Sequence, residues 1–179
     1  MIKQASMVAG VTALVAVLAV AQPGGFAQRM QAVLAEPFVG LTADGSVETG
    51  LFQLGGAGAS TEEVRLAAHR FLASLSQEQR ERTLFAVDDS EWRNWANVHL
   101  FPRQGVSALE LSTEQRELAY ALVRAGLSER GYQTSRDIMR LNQTIAELID
   151  NFDDYGEHLY YFTIMGTPST DEPWGWYLK

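Results

Sequence analysis

The sequence predicts an α+β fold, and three observations lead to it. Segments rich in aromatic and β-branched residues, which favour strands, lie near the beginning and at the end of the chain. Between them lie helical segments, each opened by a serine that suits a helix N-cap. Strands and helices are thus segregated along the chain, which argues against a doubly wound α/β sheet. We expect a short N-terminal hairpin, about four helices, and aromatic C-terminal strands of an incomplete sheet.

The composition describes an ordinary globular chain. Of its 179 residues, 46% are hydrophobic and 20% are charged, which is enough to build the core of one domain. The net charge of −8 and the dispersed arginines disfavour binding to nucleic acid or anionic lipid, because phosphate recognition needs clustered cations. The absence of cysteine excludes disulfides, thiolate nucleophiles and cysteine-ligated zinc.

Residues 1–21 have the pattern of an export signal. Lys3 provides a positive start, Met7–Val20 is almost wholly apolar, and Ala19-Val20-Ala21 is a small-x-small cleavage site. The apolar run of about 14 residues is shorter than the roughly 20 that span a bilayer. We therefore expect a periplasmic or secreted protein with no stable membrane association after cleavage. An uncleaved membrane anchor is the alternative.

The mature chain begins with a loose segment, residues 22–36, which closes with a short helix ended by Pro37. Residues 37–179 then form a single α+β domain. Asp44-Gly45 predicts a two-residue hairpin turn, since apolar, strand-forming residues flank it on both sides.

Capping boxes predict where three helices start, because a serine and the Glu or Gln three residues later can satisfy free backbone donors reciprocally. The three are Ser60-Thr61-Glu62-Glu63, Ser76-Gln77-Glu78-Gln79 and Ser112-Thr113-Glu114-Gln115. The first is followed by an apolar stripe of Val64, Ala67, Ala68, Phe71, Leu72 and Leu75. The third is followed by Leu118, Ala121, Leu122 and Ala125, and ends at Gly126.

The longest helix is capped by Ser128. Its apolar residues recur with helical spacing, and we expect them on its buried side. They are Ile138, Leu141, Ile145, Leu148 and Ile149.

The irregular stretch Val87–Leu109 carries the first candidate site. Trp92, Trp95 and His99 would form the wall of a pocket, and Arg103 would present a planar fork to a carboxylate or phosphate. The alternative is structural: the two indole rings anchor a long loop, and the arginine caps a helix or pairs with an acid.

Two further groups are weaker candidates for a site. The acidic link Asp150–His158 contains four carboxylates, but their spacing does not match a helix-loop-helix calcium loop, and a solvated linker explains them better. His69, His99 and His158 include no pair at i and i+4, so we predict no metal site. The sequence also lacks the nucleophile elbow, the phosphate-binding loop and the dinucleotide fingerprint of familiar enzymes.

The chain finishes with two aromatic strands, Leu159–Met165 and Trp174–Leu178, separated by a break at Gly166-Thr167-Pro168-Ser169. Trp174 and Trp176 share one strand face, which is either core or a ligand platform. Two strands need neighbours, so we expect a sheet continued by absent residues. Both strands would then be exposed in this chain and would make it prone to aggregation.

Several of these pieces, in this order, resemble the exported family catalogued as domain of unknown function 3500. They are TADGSVETGLFQL; VRLAAHRFLASLSQEQR; Trp92 and Trp95 followed by Phe101-Pro102-Arg103-Gln104-Gly105; Arg124-Ala125-Gly126-Leu127-Ser128 with Gly131-Tyr132; Tyr160-Tyr161-Phe162; Gly166-Thr167-Pro168-Ser169; and Pro173-Trp174-Gly175-Trp176. The resemblance covers about Pro37 to Lys179.

The resemblance implies an exported protein of unassigned activity and unknown cofactor. Members continue past the Pro-Trp-Gly-Trp strand into a Gly-His-His segment, which implies that this chain is truncated. We favour a binding module for a small polar ligand, using Trp92, Trp95, His99, Arg103, Trp174 and Trp176, because these residues contain no complete catalytic set. The alternative is an exported, metal-assisted hydrolase whose catalytic histidines lie beyond Lys179.

Overall fold

The computed structural model describes residues 23–37, 60–96 and 101–179, together with positions 44, 46 and 49. In this part of the chain five helices pack with a four-stranded mixed sheet, which confirms the predicted α+β class. The helices are α1 (Pro23–Ala35), α2 (Glu62–Ser74), α3 (Gln77–Thr83), α4 (Thr113–Ala125) and α5 (Glu129–Ile149). The strands are β1 (Leu84–Phe85), β2 (Val106–Ser107), β3 (Tyr161–Met165) and β4 (Gly175–Leu178), and Ser90–Arg93 forms a 3-10 helix. The signal at residues 1–21 and the strands of the Asp44-Gly45 hairpin lie outside the described residues.

Strand β3 is the centre of the sheet. β4 pairs with it antiparallel, placing Trp176 opposite Ile164. β1 pairs with it in parallel and β2 antiparallel, at opposite ends of its length. Since a strand has two edges and β4 covers one of them, β1 and β2 share the other. The expectation that Leu159–Met165 would be an exposed strand is therefore wrong, and Phe162 and Ile164 are 1% and 0% exposed.

Helices α2 and α4 cover the sheet and enclose the core. The predicted stripe of α2 is confirmed, because Val64 is half-buried and the other members, Ala67, Ala68, Phe71, Leu72 and Leu75, are buried. The Phe71 ring lies 5.4 Å from the ring of Phe162 on β3, in a tilted arrangement. On α4 the prediction is half right: Leu122 is buried but Ala121 is exposed, because Tyr120 and Val123 face the core instead. The alanine side chain is small, so Ala121 is a poor indicator of which face of the helix is buried.

Two of the three predicted capping boxes are present in the structure. Ser76 and Ser112 form complete capping boxes with Gln79 and Gln115. The Ser128 hydroxyl accepts from the Gly131 amide at 3.1 Å, as the start of the longest helix requires. The box predicted at Ser60 does not form, because α2 begins one residue later, with Thr61 as its N-cap.

The buried side predicted for α5 is wrong. Of its 21 residues, Met139 and Ala146 are buried, and the helix meets the domain through the face that carries them. The apolar residues that we expected inside are exposed: Ile138 by 52%, Leu141 by 61%, Ile145 by 40%, Leu148 by 79% and Ile149 by 56%. An amphipathic pattern identifies the apolar face of a helix, but it does not say that the same domain covers that face.

The segment that we expected to be loose is helical from Pro23 onward, with proline at the first position, where its missing N–H costs nothing. Arg93 ties the end of α1 to the 3-10 helix, because its guanidinium donates to the carbonyls of Glu36 at 2.9 Å and Val33 at 3.2 Å. No helix among the described residues is both long and apolar enough to cross a membrane.

Candidate functional site: a polar cleft beside the central strand

A cleft of about 480 Å³ opens where β3 begins, between α5 and the loop that precedes β2. Its walls combine one arginine, three tyrosines, an amide and two carboxylates. The lining residues are Phe101, Pro102, Arg103, Asn142, Asp153, Asp154, Tyr155, Leu159, Tyr160, Tyr161 and Lys179. A volume of this size lies within the range of about 300–1,000 Å³ typical of small-molecule sites.

The best-defined polar group in the cleft is the Asn142–Tyr160 pair. The Asn142 side-chain amide on α5 donates to the Tyr160 hydroxyl oxygen at 2.6 Å. Burial raises the pKa of Tyr160 above its ordinary value, although the nearby charge of Arg103 opposes this. The hydroxyl thus stays protonated at neutral pH, and it can donate its own proton to a ligand while accepting from Asn142.

Arg103 and two acids give the cleft its charges. The guanidinium of Arg103 is half-buried, and its Nη1 donates to the Phe101 carbonyl at 3.4 Å. Asp153 and Asp154 are exposed, and Asn151 donates its amide to the Asp154 carboxylate at 2.9 Å. The arrangement offers a cation inside the cleft and carboxylates at its solvent side.

A buried ion pair, which the sequence did not reveal, supports one wall of the cleft. Lys179 extends β4, exchanging backbone hydrogen bonds with Tyr161 at 2.9 and 3.0 Å. Its ammonium group pairs with Glu91 of the 3-10 helix, and the two side chains are 1% and 0% exposed. Asn94 donates to the other carboxylate oxygen of Glu91 at 2.8 Å. The ammonium group of Lys179 therefore neutralises a buried carboxylate within the fold.

The residues predicted for the site do not converge on one place. Arg103 lines the cleft. Trp92 and Trp95 are exposed in and just after the 3-10 helix and do not line the cleft. Trp92 contributes its carbonyl, which accepts from the Tyr177 hydroxyl and so ties this loop to β4. His99 lies outside the described residues.

Trp174 and Trp176 line a second, shallower groove of about 370 Å³, together with Thr61, Val64 and Gly175. The Trp174 indole donates to the Ser169 carbonyl at 2.9 Å, and both rings pack against the core. A Cβ atom on Gly126 would lie only 2.7 Å from the Trp176 ring, so the helix end must be glycine for the ring to fit. These contacts favour the core interpretation of this aromatic face.

A second cluster, also missed from the sequence, joins α4, α5 and the acidic link. The Tyr120 hydroxyl lies 3.1 Å from Nδ1 of His158. The Arg136 guanidinium stacks 3.9 Å above the Tyr120 ring and forms a 2.8 Å ion pair with Glu157. Burial, aided by the charge of Arg116, lowers the pKa of His158 below its usual value. No sequence spacing relates these residues, because folding alone brings them together.

The lowered pKa of His158 predicts a stability loss in mild acid. The unfolded chain takes up this proton near pH 6.5, whereas the folded protein resists it, so the free energy of unfolding falls as pH drops through this region. We expect His158→Gln to reduce the loss between pH 7 and 5, measured by urea denaturation at each pH. The exposed His69→Gln is the matched control and should keep the wild-type slope. Equal slopes for the wild type and His158→Gln would contradict this assignment.

Fold and cleft together define an α+β domain with an arginine- and tyrosine-lined cleft, and no group of three potential metal-ligating side chains occurs among the described residues. A family model described as protein of unknown function (DUF3500) matches residues 57–179. The chain belongs to this family, as the resemblance in its sequence implied. Neither the curated proteins nor the solved structures gave a significant match.

Proposed function

We propose that this protein is an exported binding module for a small polar ligand that carries a carboxylate or phosphate group. The observation that carries the proposal is the cleft itself, in which the Arg103 guanidinium lies near the Asn142–Tyr160 hydrogen-bonded pair. A guanidinium fork matches the two oxygens of a carboxylate or phosphate. The amide and hydroxyl would bind a second polar group and so fix the orientation of the ligand.

The size and shape of the cleft set limits on the ligand. A volume of about 480 Å³ suits a molecule the size of a sugar acid or an amino acid, and not a polymer. The rings of Phe101 and Tyr155 in its walls offer apolar contact to a carbon skeleton. Asp153 and Asp154 on the solvent side would repel a ligand carrying several negative charges, so one acidic group is favoured.

Export is part of the proposal and is supported by the positive start, the apolar run and the Ala19-Val20-Ala21 site in residues 1–21. Amino-terminal sequencing of protein recovered from the periplasm or medium tests it, and Gln22 is the expected first residue. Protein retained at the membrane with Met1 intact would contradict export by a cleaved signal.

The binding proposal is tested by titrating the protein with a panel of small acids: acetate, inorganic phosphate, glucuronate, glutamate and glycine. We expect at least one of them to bind by isothermal titration calorimetry and to raise the melting temperature without being consumed. Arg103→Leu should weaken that binding about ten- to a hundredfold, since a charge-assisted hydrogen bond contributes about 1.5–3 kcal/mol.

The control for Arg103→Leu is Arg70→Leu, which removes an exposed arginine on α2 and should leave the affinity unchanged. If no acid in the panel binds, or if Arg103→Leu binds as tightly as the wild type, the cleft is not an anion site. Turnover of a bound ligand would show instead that the protein is an enzyme.

A further inference from the structure

Helix α5 displays an apolar surface that the rest of the described structure leaves uncovered. We call it the α5 seam: Ile138, Leu141, Ile145 and Leu148, extended by Ile149 and by Phe152 in the following turn. These six side chains are between 40% and 79% exposed. Isolated exposed apolar residues are ordinary on protein surfaces, but six in one contiguous line mark an interaction surface.

The spacing of the seam is that of a coiled coil. Positions 138, 141, 145 and 148 follow one another at intervals of three, four and three residues, which are the a and d positions of a heptad. Met139 and Ala146, which anchor the helix to its own domain, lie at the b position, roughly 100° around the helix from Ile138 and Ile145. Another helix can therefore pack along the seam while Met139 and Ala146 stay buried against the domain.

The exposed area matches what a stable interface needs. If a large apolar side chain presents about 200 Å² in an extended chain, the exposed fractions of the six residues correspond to roughly 700 Å². A standard protein–protein interface takes about 800 Å² from each partner. α5 is already folded within the domain, so pairing would not have to overcome the cost of helix nucleation.

We propose that the seam binds a second copy of this chain, with the two α5 helices antiparallel. Antiparallel pairing places a positions against d positions: Ile138 meets Leu148 of the second copy, and Leu141 meets Ile145. The seam thus complements itself about a twofold axis near Gln143. Such isologous self-complementarity is the signature of a C2 dimer.

The positions that flank the centre of the seam carry no charge. In the same heptad register, Asn142 lies at an e position and Thr144 at a g position, and e and g are the positions that flank the interface of a coiled coil. Antiparallel pairing therefore brings the two copies of Thr144 together beside the twofold axis without opposing like charges.

Sedimentation over a concentration series of the full chain tests the dimer. We expect a concentration-dependent dimer, and at least a tenfold weaker association for Leu148→Glu, which places a charge in the seam. Leu109→Glu is the matched control, because Leu109 is equally apolar, 59% exposed, and lies outside α5. A chain that stays monomeric, or that is weakened equally by both substitutions, would overturn the proposal.

Cysteine cross-linking tests the orientation, and the natural chain contains no cysteine to interfere. Thr144→Cys lies next to the twofold axis and should form a disulfide-linked dimer under mild oxidation. Leu148→Cys should not, because the two copies of this position would be about 15 Å apart along an antiparallel pair. The reverse result would show a parallel dimer. A monomer whose Leu148→Cys thiol resists maleimide would show that another part of the same chain covers the seam; either outcome overturns the proposal.

Discussion

Replacing Gly105 with alanine is expected to destabilise the protein by about 3 kcal/mol or more, because two costs combine at this position. The backbone has a φ of +98°, which side-chain-bearing residues rarely adopt. A Cβ atom there would lie 2.8 Å from Cγ2 of Thr163 and closer still to the carbonyl oxygen of Phe162. Both residues belong to β3, whose central place in the sheet leaves it little room to move away.

Urea denaturation of Gly105→Ala and the wild type measures this loss directly. Gly175→Ala on β4 is the matched control, since a Cβ atom at Gly175 would meet no heavy atom within 4 Å. Its effect should stay within about 0.5 kcal/mol. Similar, small effects for both variants would mean that the loop before β2 does not press against the central strand.

Removing one partner of the Glu91–Lys179 pair is the second change with a large expected effect. Both side chains are fully enclosed, so Lys179→Met would leave the Glu91 carboxylate buried without its cation. Breaking a buried pair in this way costs about 3–5 kcal/mol. The double substitution Glu91→Leu with Lys179→Met removes both charges together, and we expect it to recover most of that loss.

Denaturation of the two single variants and the double variant forms a cycle that measures the coupling between the residues. The exposed Asp137–Arg140 pair on α5 provides the comparison, and Asp137→Asn should cost less than about 0.5 kcal/mol. If Lys179→Met is no more costly than Asp137→Asn, the Glu91 carboxylate is not buried with Lys179 in solution.

The parts of the fold that follow from local chemistry were predictable from the sequence. A capping box needs a serine and a glutamine three residues apart, so Ser76 and Ser112 identified two helix starts correctly. The final strands were equally clear, because aromatic and β-branched residues dominate them and the Gly166–Ser169 stretch interrupts the run.

The parts that depend on distant residues were not predictable. β1 and β2 have two residues each, too few for any periodicity, and they become strands only by pairing with β3. Glu91 and Lys179 lie 88 residues apart, and nothing local marks either as buried. The α5 seam shows the same limit: its apolar period was visible in the sequence, but its exposure on the surface of the described domain was not.

The candidate site was predictable to a similar extent. Arg103 was selected because a guanidinium in an irregular loop suits anion binding, and it does line the cleft. Asn142 and Tyr160 were missed, since an asparagine on a helix and a tyrosine before a strand are unremarkable until folding brings them within 2.6 Å. The four tryptophans were predicted as site residues because large aromatic rings can form the wall of a pocket. Trp174 and Trp176 instead mainly pack against the core.

The most direct test of the binding proposal is a nuclear magnetic resonance titration of isotope-labelled protein with the tightest acid from the panel. We predict saturable shifts of the Arg103 Nε–H, the Asn142 side-chain amide and the Tyr160 backbone amide, with the Trp174 indole N–H unmoved. Shifts confined to the Trp174 and Trp176 signals, or no saturable shift at any concentration, would contradict ligand binding in this cleft.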